Sequence, residues 1–222
     1  MNSSIIKEAN LLNDLWVEGS DDAQLLYHLL KRYHLEKDVK IEKKDGVENI
    51  LKNLKIALKV GGPGKLGIIV DVDDDLSQRW QSFQALLEEA GYVDIPALPV
   101  SSGTIIVQDG LLDIGIWLMP DNQMTGMVEH FVKTLIPPEY LLWSMAGDAV
   151  QRAMAIKCHF ALVHQMKAEI HTWLAWQEEP GKPIGLMRSQ KREIKPPKQL
   201  EDECCCSAFA PQWRKSQRAG AN

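Results

Sequence analysis

LGIIVDVDDD, residues 66–75, joins an apolar, β-branched run, Leu66-Gly67-Ile68-Ile69-Val70, to the acidic Asp71-Val72-Asp73-Asp74-Asp75. Four to eight apolar residues bounded by turn signals read as a buried strand of an α/β sheet. Gly61-Gly62-Pro63-Gly64 stops whatever precedes it. The carboxylates then lie just past the C-terminal end of the strand, where open α/β sheets place their ligands. Four carboxylates at one sheet edge repel one another, and a cation relieves that repulsion. Clustered hard oxygen ligands suit Mg²⁺ or Mn²⁺. The competing reading is a solvated acidic loop that caps the next helix.

The 222 residues are enough to bury a real core in one domain, with room for an appendage. The hydrophobic share of 45% and charged share of 25% are those of an ordinary globular protein rather than a disordered one. A formal charge of −5 leaves no overall basic field to steer the chain to nucleic acid. Such a contact therefore needs a local basic patch or a bound metal. No apolar run is long enough to span a bilayer, so no membrane partner is expected. The opening residues MNSSIIKEANLLNDLWVEG lack the regions of a signal peptide, and a cytoplasmic location is the expectation. Cys204-Cys205-Cys206 are consecutive and Cys158 stands alone, which is neither a disulfide framework nor a zinc pattern.

In chain order, residues 15–17 read as the core of a first strand that ends at Glu18. Gly19 permits a turn and Ser20 or Asp21 can cap the next helix. Leu25, Leu26, Leu29 and Leu30 recur at helical spacing. Residues 38–43 alternate as a second strand, and a helix starts at Val47 and continues through Leu58. Beyond the central strand, residues 77–90 read as a helix with Trp80, Phe83, Leu86 and Leu87 on one face, closed by Gly91. Residues 104–107 and 111–119 read as two adjacent strands, a hairpin, the second ending in Met119-Pro120-Asp121-Asn122. Gly126 to Phe131 opens another helix, with Glu129 near its start. Residues 139–179 read as one or two helices with Ala149, Ala153, Ile156, Phe160, Val163, Met166, Ile170 and Leu174 at three- and four-residue spacing. One domain over residues 1–187 is expected, with a poorly ordered tail over 188–222.

Val17-Glu18-Gly19-x-x-Asp22 and Val70-Asp71-Val72-Asp73 resemble the two acidic motifs of the TOPRIM domain, shared by topoisomerases, primases and related nucleases. Met119-Pro120-Asp121-Asn122, Gly126, Glu129 and residues 167–181 resemble small bacterial TOPRIM-like proteins allied to OLD-family nucleases. The resemblance spans roughly Leu15 to Gly185. It implies an α/β fold with a mostly parallel TOPRIM-like sheet flanked by helices, an added strand pair and C-terminal helices. It implies Glu18 as metal ligand or general acid/base, Asp71 and Asp73 as Mg²⁺ ligands, and Asp121 with Glu129 for a second metal. Two ions about 3.5–4 Å apart clamp a phosphodiester and activate a water for in-line attack. Lys167 is the candidate to stabilise transition-state charge. The implied partner is nucleic acid, DNA before RNA. No ATPase module is seen, although many OLD-like nucleases carry one fused, so a separate ATPase is a further expected partner.

Each residue has a structural alternative. Glu18 could cap a helix, Asp22 reads better as a first-turn charge than as a ligand, and Asp74 and Asp75 read as solvated or as a cap. Asp121 with Asn122 could form a turn, and Glu129 could complement a helix dipole. Lys167 and His171 share a helix face, as surface pairs commonly do. Trp173 and Trp176 read as core rather than as stacking platforms. Gly61 to Lys65 is not a phosphate-binding loop, because no Ser or Thr follows the lysine and the order is helix–loop–strand. A haloacid-dehalogenase-type phosphatase also carries DxD after a strand, but Asp75 stands where that family has Thr or Val. The expected function is Mg²⁺-dependent phosphodiester cleavage of nucleic acid. The alternative is a non-catalytic binding or regulatory module that kept the fold, and a haloacid-dehalogenase-type phosphatase stands third.

Overall fold

The structure, a computed structural model, describes residues 13–32, 34–62 and 64–182. The expected tail over residues 188–222 lies outside the described residues. Five strands form one sheet: β1 (Asn13–Val17), β2 (Val39–Lys43), β3 (Lys65–Asp71), β4 (Thr104–Ile106) and β5 (Asp113–Met119). Their spatial order is β2-β1-β3-β5-β4. The pairs β1–β2, β1–β3 and β3–β5 are parallel, and β4 runs antiparallel to β5 as the expected hairpin. Helices α1 (Ser20–Arg32), α2 (Val47–Val60), α3 (Leu76–Glu89), α4 (Val128–Thr134), α5 (Leu141–Ala155) and α6 (Gln165–Leu174) surround it. The fold is thus α/β, with a mostly parallel sheet flanked by helices.

Period-two alternation sorts the strands into two layers. Leu15, Val17, Ile69, Trp117 and Met119 face α1, α4, α5 and α6. Trp16, Ile68, Val70, Ile116 and Leu118 face α2 and α3. Both faces of the sheet are covered, which is why β3 reads as a continuous apolar run rather than an alternating one. After β1 the chain moves outward to β2, then returns to the other side of β1 for β3. The strand order therefore reverses between β1 and β3, the point at whose carboxyl ends open α/β sheets form their ligand crevice. Asp71 follows Ile69 by two and falls on the α1–α4 side of the sheet.

The C-terminal helical run divides. α5 stops at Ala155, Lys157 takes a left-handed φ of 63°, and a short 3₁₀ turn (Leu162–His164) precedes α6. Ile156, expected on the packed face, is 82% exposed because it lies beyond the helix end. Trp173 is core, packed edge-on against Tyr140 and Trp143, whereas Trp176 is exposed. Among the described residues no helix is long and apolar enough to cross a membrane.

Candidate metal centre

At the mouth of the β1–β3 crevice the carboxylates converge. Glu18 follows β1 directly and its Oε1 accepts a hydrogen bond from the Asp71 N–H at 2.8 Å. Asp71 ends β3, and its Oδ1 accepts from the Val128 N–H at the start of α4, at 2.9 Å. One carboxylate thereby ties the sheet edge to a helix 57 residues further along the chain. Asp22, in the first turn of α1, is buried, and its Oδ2 accepts from the Gly19 N–H at 3.0 Å. Glu129, in the first turn of α4, is buried to 2% exposure. Asp73 sits at the rim with a left-handed φ of 59°. Its N–H and that of Val72 both donate to the Gly126 carbonyl, at 2.9 and 3.0 Å.

The electrostatics follow from this crowding. Burial, reinforced by the charges of Asp22, Glu18, Glu129 and Asp73, pushes the Asp71 carboxyl up to about 9. Burial raises Glu18 as well, partly offset by the Asp71 N–H and by the Arg79 charge. Burial also raises Asp22, with Glu129 adding to the effect. Two cations answer the five carboxylates. Arg79, on α3, places Nη2 3.1 Å from Asp73 Oδ2. Lys167, on α6, places Nζ 3.6 Å from Glu129 Oε1. His130 has Nδ1 accepting from the Met127 N–H at 3.2 Å, and burial holds its imidazole below the usual range.

Glu18, Asp71, Asp73, Glu129 and Lys167 are therefore brought to one place. Asp121 is seated in a turn of its own, with Oδ1 accepting from the Gln123 and Met124 N–H groups at 3.0 and 2.9 Å. It is not among the charges that act on Asp71. Asn122 supplies the turn with φ 63° and a 2.7 Å bond from the Leu118 N–H. Asp75 caps α3 through the Gln78 N–H at 2.9 Å. Asp22 is a first-turn charge of α1, as its position predicts, and its burial within reach of the Glu129 charge makes it a fuller member of the cluster than Asp121. The signal was its place in Glu18-Gly19-x-x-Asp22. Arg79 had no local signal, since six residues and a turn separate it from Asp73.

The donor set is hard oxygen, with more negative charge than Arg79 and Lys167 balance, and this suits Mg²⁺ or Mn²⁺. Glu18, Asp71 and Asp73 would hold such an ion, with Asp22 and Glu129 behind them. Among the described residues no three His, Cys, Asp or Glu side chains converge as a ready-made coordination sphere. One oxygen each of Glu18, Asp22 and Asp71 is turned onto a backbone N–H instead. Residues 12–203 match a family model described as a protein of unknown function, DUF3226. No curated protein and no solved structure matches the chain.

Proposed function

The chain belongs to the DUF3226 family, whose function is unknown, and from the geometry of its acidic crevice we propose Mg²⁺-dependent phosphodiester cleavage of nucleic acid, DNA before RNA. The observation that carries this reading is Asp71. A buried carboxyl under four other carboxylate charges is held protonated up to about 9. Such an arrangement destabilises the chain unless something uses it, and a divalent cation removes the cost. The resemblance of the two acidic motifs to TOPRIM nucleases supports the same reading.

A cation held here supplies polarisation of a phosphoryl oxygen and a bound water of lowered pKa. The rest is done by the chain. Asp71 gives up its proton to charge the site. Glu18, at the crevice mouth, can take a proton from the attacking water. Lys167, half-exposed beside Glu129, brings a positive charge to the developing phosphoryl charge. On this reading the protein acts in the cytoplasm, alone or with a separate ATPase.

One observation favours a non-catalytic binding or regulatory module instead: three of the carboxylates already spend an oxygen on backbone N–H groups. Mn²⁺ titration followed by electron paramagnetic resonance, with plasmid and single-stranded DNA cleavage in Mg²⁺ or Mn²⁺, separates the two. Binding and cutting that are both lost in Asp71→Ala support the nuclease. Full cutting by Asp71→Ala sinks it, and no metal binding by the wild type favours the module.

A further inference from the structure

Arg79 stands against the dipole of its own helix. It lies in the opening turns of α3, one residue past the Gln78 N–H that caps onto Asp75, where the helix dipole opposes positive charge. Its side chain is 16% exposed, and its Nε is buried with no hydrogen-bond partner among the described residues. Among the described residues the side chain donates one hydrogen bond, at 3.1 Å, to Asp73, a carboxylate that is itself half-exposed and left-handed, while its charge also acts on Glu18. A guanidinium with an unused donor edge, tied to a candidate metal ligand, is poised to change partner. Resting on the metal-dependent reading above, we infer that Arg79 is a phosphate clamp that Asp73 holds back. When a cation takes the charge of Asp73, the pair weakens. The guanidinium then turns its free Nε edge and a neighbouring N–H toward the crevice mouth. That fork matches two oxygens of a nucleic-acid phosphodiester, which a lysine cannot imitate. The metal would thus load first and the nucleic-acid backbone second. Binding of the first would create the site for the second.

The test needs neither metal nor cleavage. Asp73→Asn removes the carboxylate charge that restrains Arg79. A fluorescein-labelled single-stranded oligonucleotide is titrated with this variant, the wild type and the double variant Asp73→Asn/Arg79→Ala, without divalent cations, over a series of salt concentrations. Asp73→Asn is expected to bind several-fold more tightly than the wild type. The double variant should lose that gain, and its log–log salt slope should be shallower by about one, the signature of one lost phosphate contact. Asp73→Asn/Arg79→Lys, which keeps the charge without the fork, should fall between them. Urea unfolding of each variant guards against loss of fold. Equal binding by Asp73→Asn and the double variant overturns the clamp, as does no binding by either. The nuclease reading fails separately, through absent Mn²⁺ binding by the wild type.

Discussion

At the scale of single residues, Asp71 controls the behaviour of the site. An unfolded aspartate loses its proton near pH 4, whereas folded Asp71 keeps its proton up to about 9. Between those values the folded state holds the extra proton, so its stabilising share is complete below about pH 4 and is lost as pH rises toward 9. Glu18 and Asp22 are shifted in the same direction and add to the trend. The thermal midpoint of the metal-free protein should therefore fall from about pH 5 to about pH 9. Asp71→Asn should flatten the fall, and Mg²⁺ should reverse it in the wild type alone. A flat wild-type profile would show that Asp71 ionises normally. For metal affinity, Asp71→Asn should cost more than the roughly 10–100-fold typical of removing a residue that only orients a ligand. Lys167 offers the opposite contrast. Its ion pair with Glu129 spans 3.6 Å and joins a half-exposed ammonium to a buried carboxylate, so Lys167→Ala should destabilise by about 1–3 kcal/mol. Its turnover should drop as well, and chemical denaturation run beside a cleavage assay separates the two effects.

At the scale of elements, the acidic run after β3 divides its labour. Asp71 closes the strand, Asp73 turns left-handed at the rim, and Asp75 starts α3. Asp75→Ala should cost about 1 kcal/mol in urea unfolding, the ordinary value of a lost N-cap, with Mn²⁺ affinity intact. A matching loss of Mn²⁺ affinity would place Asp75 among the ligands. The loop from β5 to α4 supports the same rim. Gly126 has φ 149°, and a Cβ there would meet the His130 ring at 3.0 Å and Pro120 Cδ at 3.2 Å. Gly126→Ala should therefore shift the carbonyl that holds the Val72 and Asp73 N–H groups and destabilise by about 1–3 kcal/mol. Weaker metal binding should accompany the loss, and unchanged Mn²⁺ affinity would separate loop from site. These divisions were partly legible. Residues 66–70 announced a buried strand, and Asp75 was a candidate cap. The left-handed turns at Asp73 and Lys157 were not, because neither residue is a glycine: a bond to the remote Gly126 carbonyl holds the first, and the second closes the end of α5, where the Lys157 and Cys158 N–H groups donate to the Met154 and Ala153 carbonyls.

At the scale of the whole molecule, α6 reaches the crevice through its packing. Trp173 and Ile170 are buried in the layer that holds Leu15, Ile69 and Trp117, and Lys167 sits one turn before Ile170. Trp173→Ala should cost about 3–5 kcal/mol as a large side chain leaves the core, and it should lower the cleavage rate as well, because α6 carries Lys167. Circular dichroism melts with single-turnover cleavage test this. Strand and helix identities, the mostly parallel sheet and the carboxylates at strand ends follow from the chain itself. They rest on local periodicity, turn chemistry and the apolar runs, all encoded among near neighbours. The full membership of the acidic cluster, with Asp22 in, Asp121 out and Arg79 at its rim, does not. Glu18 meets Asp71 across 53 residues and Asp71 meets Val128 across 57, while Asp121 turns into its own loop. The burial of Asp22, the rise of Asp71 and the hold of Asp73 on Arg79 depend on distance and dielectric. Those are set by contacts between remote segments, and no local pattern of residues records them.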